Sequence, residues 1–375
     1  MSDTARVADD SDRGPAVTAA VPTVGTVLAV VAFVALAVPA RSGPSTSEVA
    51  LPAAAAAALV AVGAFLARRH DLAARRIAAP IATGSSLFAV VLSGYAITQG
   101  ALGSVTVPGL EWSVSLLFLA FFVAAGAVGI GVADYVGITE RGLFDRTKRL
   151  LEMTFLGGMG LVGITAAAVL LALPVQLVAG ELTEFQWTVV EYLAFAVGLG
   201  AVSVGYLAAR ERELSYIDLE RPTLRTVGWI GIGLVLLLGS NMVISWLMTA
   251  AGIEGADHTT TQQAAENPEL LLVILPAMIL VVGPFEELLY RNVIQKSLYE
   301  TFSRKGAVVV ASVVFTLVHV TAYATAGAGQ LLASLSILFV LSLILGHIYE
   351  RTENLLVPAL AHGCYNAVIF LPLLV

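Results

Sequence analysis

Apolar runs of about twenty residues recur from one end of this 375-residue chain to the other, and no other feature restricts its fold so tightly. A run of that length crosses the hydrocarbon core of a bilayer as a helix. In lipid only a helix satisfies its own backbone hydrogen bonds without closing a barrel, and a barrel strand needs only about 9–11 residues. The runs lie near 21–40, 50–67, 78–99, 113–133, 153–179, 188–209, 227–252, 270–290, 306–325, 330–349 and 355–375. The expected fold is therefore all-α, a polytopic membrane helix bundle of about eleven transmembrane helices. Composition agrees: 13% of the residues are charged, against about 25% in a soluble globular chain.

The charges test the number of spans. Arg68, Arg69, Arg75 and Arg76 share one loop, and Arg141, Arg146, Lys148 and Arg149 fall two spans later. Arg210, Arg212, Arg221 and Arg225 follow after two more, then Arg291, Lys296, Arg304 and Lys305, then Arg351. The loops between carry no Lys or Arg except Arg41. By the positive-inside rule this alternation predicts a multi-pass cell-membrane protein with a cytoplasmic N-terminus and the C-terminus outside. The segment before the first run holds Asp3, Asp9, Asp10 and Asp12 against Arg6 and Arg13, so it lacks the cationic n-region of a signal peptide. The net charge of −7 argues against a nucleic-acid partner, and the single cysteine, Cys364, against a disulfide framework. Acidic polar ends and only three lysines resemble a halophilic archaeal composition.

Two parts are expected: a six-helix membrane region of unknown role over residues 1–210, and a five-span region over 226–375 that holds every polar cluster of interest. Glu111 and Glu191 in the first part sit near span ends, where a snorkelling position is the plainer reading. No internal repeat supports a transporter.

Three elements carry chemistry. In Glu286-Glu287-Leu288-Leu289-Tyr290-Arg291, Glu287 and Arg291 stand four apart in the order that favours a helical ion pair. Glu286 is turned about 100° away and is the freer carboxylate. The plainer reading is two interfacial charges at a helix end. In the ninth run, Phe315 and His319 lie one turn apart on one face. A lone histidine there often serves as an interhelical hydrogen bond. In the last run, His362 and Asn366 are also one turn apart and bring two donors to one side, a candidate oxyanion site. Helix–helix glue is the alternative. Together, a carboxylate, two imidazoles and a carboxamide suit water activation at lipid depth better than a conduction path.

Glu286-Glu287-x-x-x-Arg291, Phe315-x-x-x-His319 and His362-x-x-x-Asn366, in this order within apolar runs, resemble the three motifs of the type II CAAX prenyl protease and bacteriocin-processing family of intramembrane endopeptidases. Tyr349-Glu350-Arg351-Thr352 and Asn354-Leu355-Leu356-Val357-Pro358 resemble that family's approach to its last motif. The likeness covers roughly 226–375. It implies a glutamate-dependent hydrolase: Glu286 as general base, His319 holding the attacking water, His362 and Asn366 stabilising the oxyanion, and Glu287, Arg291 and Phe315 supporting the site. The implied substrate is a membrane-embedded or lipid-modified peptide, prenylated in some members and cut near its C-terminus, and the implied surroundings are the bilayer.

Glu286, His319 and His362 would also be the ligands if a divalent metal such as zinc were present. No HExxH helix accompanies them, and a metal-free glutamate is the expected form, with no cofactor. No G-x-S-x-G elbow occurs, and Cys364 faces away from His362 on its helix. The site is expected to open toward the cytoplasm. The competing reading is a non-catalytic scaffold, immunity or regulatory factor on the same fold. One difficulty is depth. Glu286 and His362 stand about 7 residues from the cytoplasmic side and His319 about 13, a gap of roughly 10 Å for tilt or a later helix start to close.

Overall fold

The computed structural model describes residues 20–40, 49–106, 109 and 113–374. Arg41, Glu111 and the acidic segment Met1–Arg13 lie outside the described residues. The helices are α1 (Ala20–Ala40), α2 (Ala50–Arg69), α3 (Arg75–Thr98), α4 (Leu116–Val136), α5 (Glu140–Ala179), α6 (Glu184–Ala209) and α7 (Leu224–Ala250). They continue with α8 (Thr259–Glu266), α9 (Pro268–Leu298), α10 (Arg304–Val318), α11 (Ala328–Thr352) and α12 (Leu356–Phe370). Ten helices among the described residues are long and apolar enough to cross a membrane, and the protein is a multi-pass, all-α membrane protein.

Two expected spans differ in detail. The fourth begins later than expected, because Ser113–Ser115 is a strand (β2) paired antiparallel with Ser104–Thr106 (β1). Ser115 then caps α4 by accepting from the backbone N–H of Phe118 at 3.3 Å. The ninth, 306–325, is not one long helix. α10 has 15 residues and stops at His319, followed by the short turn Val320–Tyr323. The stop has a local cause. The Phe315 carbonyl, which a continuing helix would offer to the His319 backbone N–H, instead accepts from the His319 ring at 2.7 Å. The backbone N–H turns to Thr316 O at 3.2 Å.

The chain forms two compact units, 1–145 and 146–375. In the first, α1, α2, α3 and α4 each pack on the next and α4 returns to α1, closing a four-helix bundle. Its seams are alanines such as Ala29, Ala54, Ala82 and Ala124, with larger apolar residues such as Val27, Leu59 and Phe122 turned outward. Water-exclusion gives no drive between helices in lipid, so close backbone approach through small residues has to supply the packing.

The second unit holds α6–α12 and most of α5. The boundary read at 210–225 lies inside this unit, because the connection is tied down. Asp218 accepts from Lys296 Nζ at 2.7 Å and from Tyr349 Oη at 2.6 Å. Its backbone N–H donates to Asn292 Oδ1 at 2.8 Å, and its carbonyl accepts from Leu355 N at 2.6 Å. α5 and α6 cross at Gly163 and Gly198, where a Cβ on Gly198 would stand 2.4 Å from Ile164 N. Met153, Leu199, Leu207, Leu289, Val293 and Phe315 form the buried core that joins these helices to α9 and α10.

Candidate active site

α9 presents the carboxylates. Two π-helical stretches, Met278–Val282 and Leu288–Gln295, flank a short α-helical segment, Gly283–Glu287. Wide turns of this kind re-aim side chains and recur at functional sites. α12 packs on α9 there with no room for a side chain at either crossing glycine. A Cβ on Gly283 would meet Ala359 O at 2.3 Å, and one on Gly363 would meet Met278 O at 2.6 Å. Two glycines thus bring His362, the neighbour of Gly363, against Glu286 and Glu287.

The two carboxylates divide their work. Glu287 and Arg291 are fully buried and paired, Arg291 Nε donating to Glu287 Oε2 at 2.8 Å. Arg291 Nη2 also donates to Ser342 Oγ at 3.0 Å, and its guanidinium lies 5.2 Å from the centre of the Phe315 ring. The other oxygen of Glu287 bonds His362 Nδ1 at 2.9 Å. This second bond was not legible from spacing, which gave Glu287 a single partner.

Glu286 faces the two imidazoles. Its Oε1 is 3.5 Å from His319 Nε2 and its Oε2 is 3.7 Å from His362 Nε2. The depth gap between His319 and the other groups is therefore closed. Both rings are held from behind. The Phe315 carbonyl can only accept, so His319 Nδ1 carries a proton, and in the neutral ring Nε2 is left with a lone pair toward Glu286. His362 Nδ1 donates to Glu287, which leaves its Nε2 to face Glu286. Phe315 is the wedge between them, its ring centre 4.4 Å from His319 and 6.1 Å from His362.

Glu286, His319, His362 and Asn366 line one cavity of about 460 Å³. The lining includes Trp187, Glu191, Tyr192 and Phe195 from α6 and Thr165 from α5. Glu191 is therefore a cavity residue, beyond the snorkelling position expected of it. Cys364 is not among the lining residues. His258 is the residue that sequence reasoning passed over, since it sits in a polar loop far from any motif. It caps α8, its Nδ1 accepting from Thr260 N at 3.1 Å, and stacks edge-on against Tyr323 at 5.0 Å. Burial pushes its imidazole down to about 4, helped by His319 and opposed by Glu286. It is neutral at ordinary pH with its proton on Nε2, a donor at the cavity wall.

The cavity lies at an unexpected end of the unit. Its residues come from the start of α6, the end of α10, the later part of α12 and the loop before α8. Loops 180–183, 251–258 and 324–327 at that end carry no Lys or Arg, whereas Arg210, Lys296, Arg304 and Arg351 mark the other. The expectation that the site opens toward the cationic loops is corrected on this point. His319 ends a helix that starts at Arg304, and 15 residues of helix are about 22 Å.

Among the described residues no group of three or more His, Cys, Asp or Glu is arranged to hold a metal ion, Glu286, His319 and His362 included. Each oxygen of Glu286 is turned to a different imidazole.

The buried Glu286 carboxylate is thus flanked on the cavity wall by two imidazoles, each braced from behind. Residues 268–368 match the family model described as type II CAAX prenyl endopeptidase Rce1-like, so this segment is similar to that protease family. The matched segment runs from the start of α9 to near the end of α12 and contains all the motif residues. No curated protein and no solved structure matches the chain.

Proposed function

We propose that the protein is an intramembrane endopeptidase that hydrolyses a peptide bond of a membrane-associated substrate, near its C-terminus, with water activated by Glu286. The observation that carries this reading is the position of the Glu286 carboxylate, within 3.5 and 3.7 Å of two imidazole Nε2 atoms on a cavity wall. A water held between Glu286 and the His319 lone pair donates one hydrogen bond to each. As its oxygen attacks the scissile carbonyl carbon, its proton passes to Glu286. The oxyanion receives hydrogen bonds from Asn366 Nδ2 and from His362 Nε2. His362 can donate there only as the imidazolium, because its Nδ1 proton is committed to Glu287. The C–N bond then breaks, and Glu286 returns the proton to the leaving amine.

No step requires a metal, and chelation of the purified protein is expected to leave its rate unchanged. With the cationic loops in the cytoplasm, the positive-inside rule makes the cavity open on the opposite side of the membrane. The scaffold reading has weaker support, because a non-catalytic protein has no need for a buried glutamate between two braced imidazoles.

The test is a comparison of membrane proteomes from cells carrying the wild type and Glu286→Gln, with purified protein assayed on the peptides that accumulate. Loss of about 10²–10⁴-fold in rate with the fold intact is the expected result. Unchanged cleavage in Glu286→Gln, His319→Ala and His362→Ala alike overturns the reading.

A further inference from the structure

The wall of the cavity formed by α6 has a composition that the hydrolytic chemistry does not use. Trp187, Glu191 and Phe195 follow one another at four-residue spacing, so they form a stripe along one helix face, with Tyr192 beside it. All four line the cavity. Glu191 is half-buried and within hydrogen-bonding reach of the Trp187 indole. A carboxylate at this depth is costly without a reason.

No Lys or Arg is among the residues that line the cavity; Glu286 faces the two imidazoles, and Glu191 has the Trp187 indole. The loops at that end add charge of the same sign. Residues 180–184 and 251–269 include Glu181, Glu184, Glu254, Asp257, Glu266 and Glu269 and no Lys or Arg. One of these carboxylates, Glu184, already accepts from Asn267 at 2.8 Å. A low-dielectric cleft rimmed by one sign of charge concentrates the opposite sign. Aromatic faces beside a carboxylate are the chemistry that holds an ammonium or guanidinium group, through ring quadrupole and ion pair together.

We propose that Trp187, Glu191, Tyr192 and Phe195 form a subsite for a cationic side chain, Lys or Arg, of the peptide substrate. The inference rests on the peptidase reading for the word substrate, but the subsite is a binding property and is measurable without turnover.

The experiment uses the full chain in lipid nanodiscs, in the Glu286→Gln background so that hydrolysis does not interfere. The probes are fluorescent apolar decapeptides with one Arg scanned along the sequence, against the same set with Gln or Glu at that position. Binding is read by anisotropy at low and high salt. The expected result is that Arg peptides at one or two scan positions bind about tenfold tighter than their Gln partners, and Glu peptides weaker still. That preference shrinks with salt and disappears in Glu191→Gln, while Glu191→Asp keeps part of it. Equal binding of Arg and Gln peptides, or a preference that survives in Glu191→Gln, overturns the subsite. Should Glu191→Gln fail to fold, Trp187→Leu and the salt dependence of the Glu286→Gln protein decide: a salt-insensitive Arg preference overturns the proposal. Failure of the peptidase reading would appear separately, as Arg-selective binding without cleavage by the wild-type protein.

Discussion

The two compact units are built from the same apolar alphabet but keep their polar groups in different ways. In unit 1–145 the seams are alanine, and a principal buried polar contact is Arg68 Nε to Asp134 Oδ2 at 3.3 Å. That pair stands in the last turns of α2 and α4, and Arg68 also reaches the exposed Asp71. In unit 146–375 the buried charges stand in mid-helix and form a chain: Ser342 to Arg291, Arg291 to Glu287, Glu287 to His362, with Glu286 beyond it. A bundle that only has to pack can keep its ions at the rim. A chain of ions at lipid depth that ends in a carboxylate faced only by imidazoles, with no Lys or Arg beside it, is expensive, and the expense is what marks a site.

The largest effect expected from this contrast is at Arg291. Arg291→Leu leaves the buried Glu287 without its guanidinium partner and should destabilise the protein by about 3–5 kcal/mol. It should lower hydrolysis sharply as well, since Glu287, which anchors His362, loses the guanidinium that fixes its own orientation. Arg68→Leu in the first unit should lower the thermal midpoint but leave turnover per folded molecule unchanged. A thermal melt and a rate measurement on both variants check this. Loss of specific activity in Arg68→Leu would break the division into a packing unit and a reacting unit.

Next comes the helix crossing. Gly363→Ala places a Cβ 2.6 Å from Met278 O, and overpacking of this kind costs about 1–3 kcal/mol. Because the same crossing sets the distance from His362 to Glu286, activity should fall by more than stability alone accounts for. In the first unit Gly25→Ala meets the Phe65 ring at 2.3 Å, a comparable clash with no site behind it. A fall in specific activity for Gly363→Ala but not Gly25→Ala is the expected outcome.

How much of this was legible in the sequence depended on range. The Glu287–Arg291 pair and the Phe315–His319 and His362–Asn366 faces follow from helical spacing, and the structure keeps them as read. The lone orientation of Glu286 was legible for the same reason. Contacts set by where two helices cross were not. The Glu287–His362 bond depends on Gly283 and Gly363 touching backbones. The break in the ninth span depends on a histidine ring taking the carbonyl its own backbone N–H would have used. The approach segment Tyr349-Glu350-Arg351-Thr352 was recognised only by likeness, and its physical content, Tyr349 holding Asp218, joins residues 131 apart in sequence. His258 gave no signal, because a polar loop residue acquires a place in the site only when α8 folds back over the cavity.

His258 therefore offers a finer test of what belongs to the reacting unit. His258→Asn should keep the cap on α8, since Asn accepts from the same backbone N–H, while removing the Nε2 donor from the cavity. If His258 holds a substrate carbonyl, KM should rise several-fold with kcat little changed. If it serves only as a cap, neither constant moves and His258→Ala alone lowers stability.

The smallest effect is at the far end of the ion chain. Ser342 Oγ accepts from Arg291 Nη2 at 3.0 Å in a fully buried position, and Ser342→Ala removes that acceptor without changing charge. A hydrogen bond to a charged group is worth about 1.5–3 kcal/mol, but Arg291 keeps its ion pair with Glu287, so the loss should sit near the lower figure. The rate should fall less than twofold, because Glu287 still orients His362 through its other oxygen. The outcome separates two ways the chain of contacts could act. If each link only fixes the next in place, effects shrink with distance from Glu286, and Ser342→Ala is nearly silent in activity. If the chain instead orients His362 as one unit, Ser342→Ala lowers the rate as much as a change next to Glu286 does.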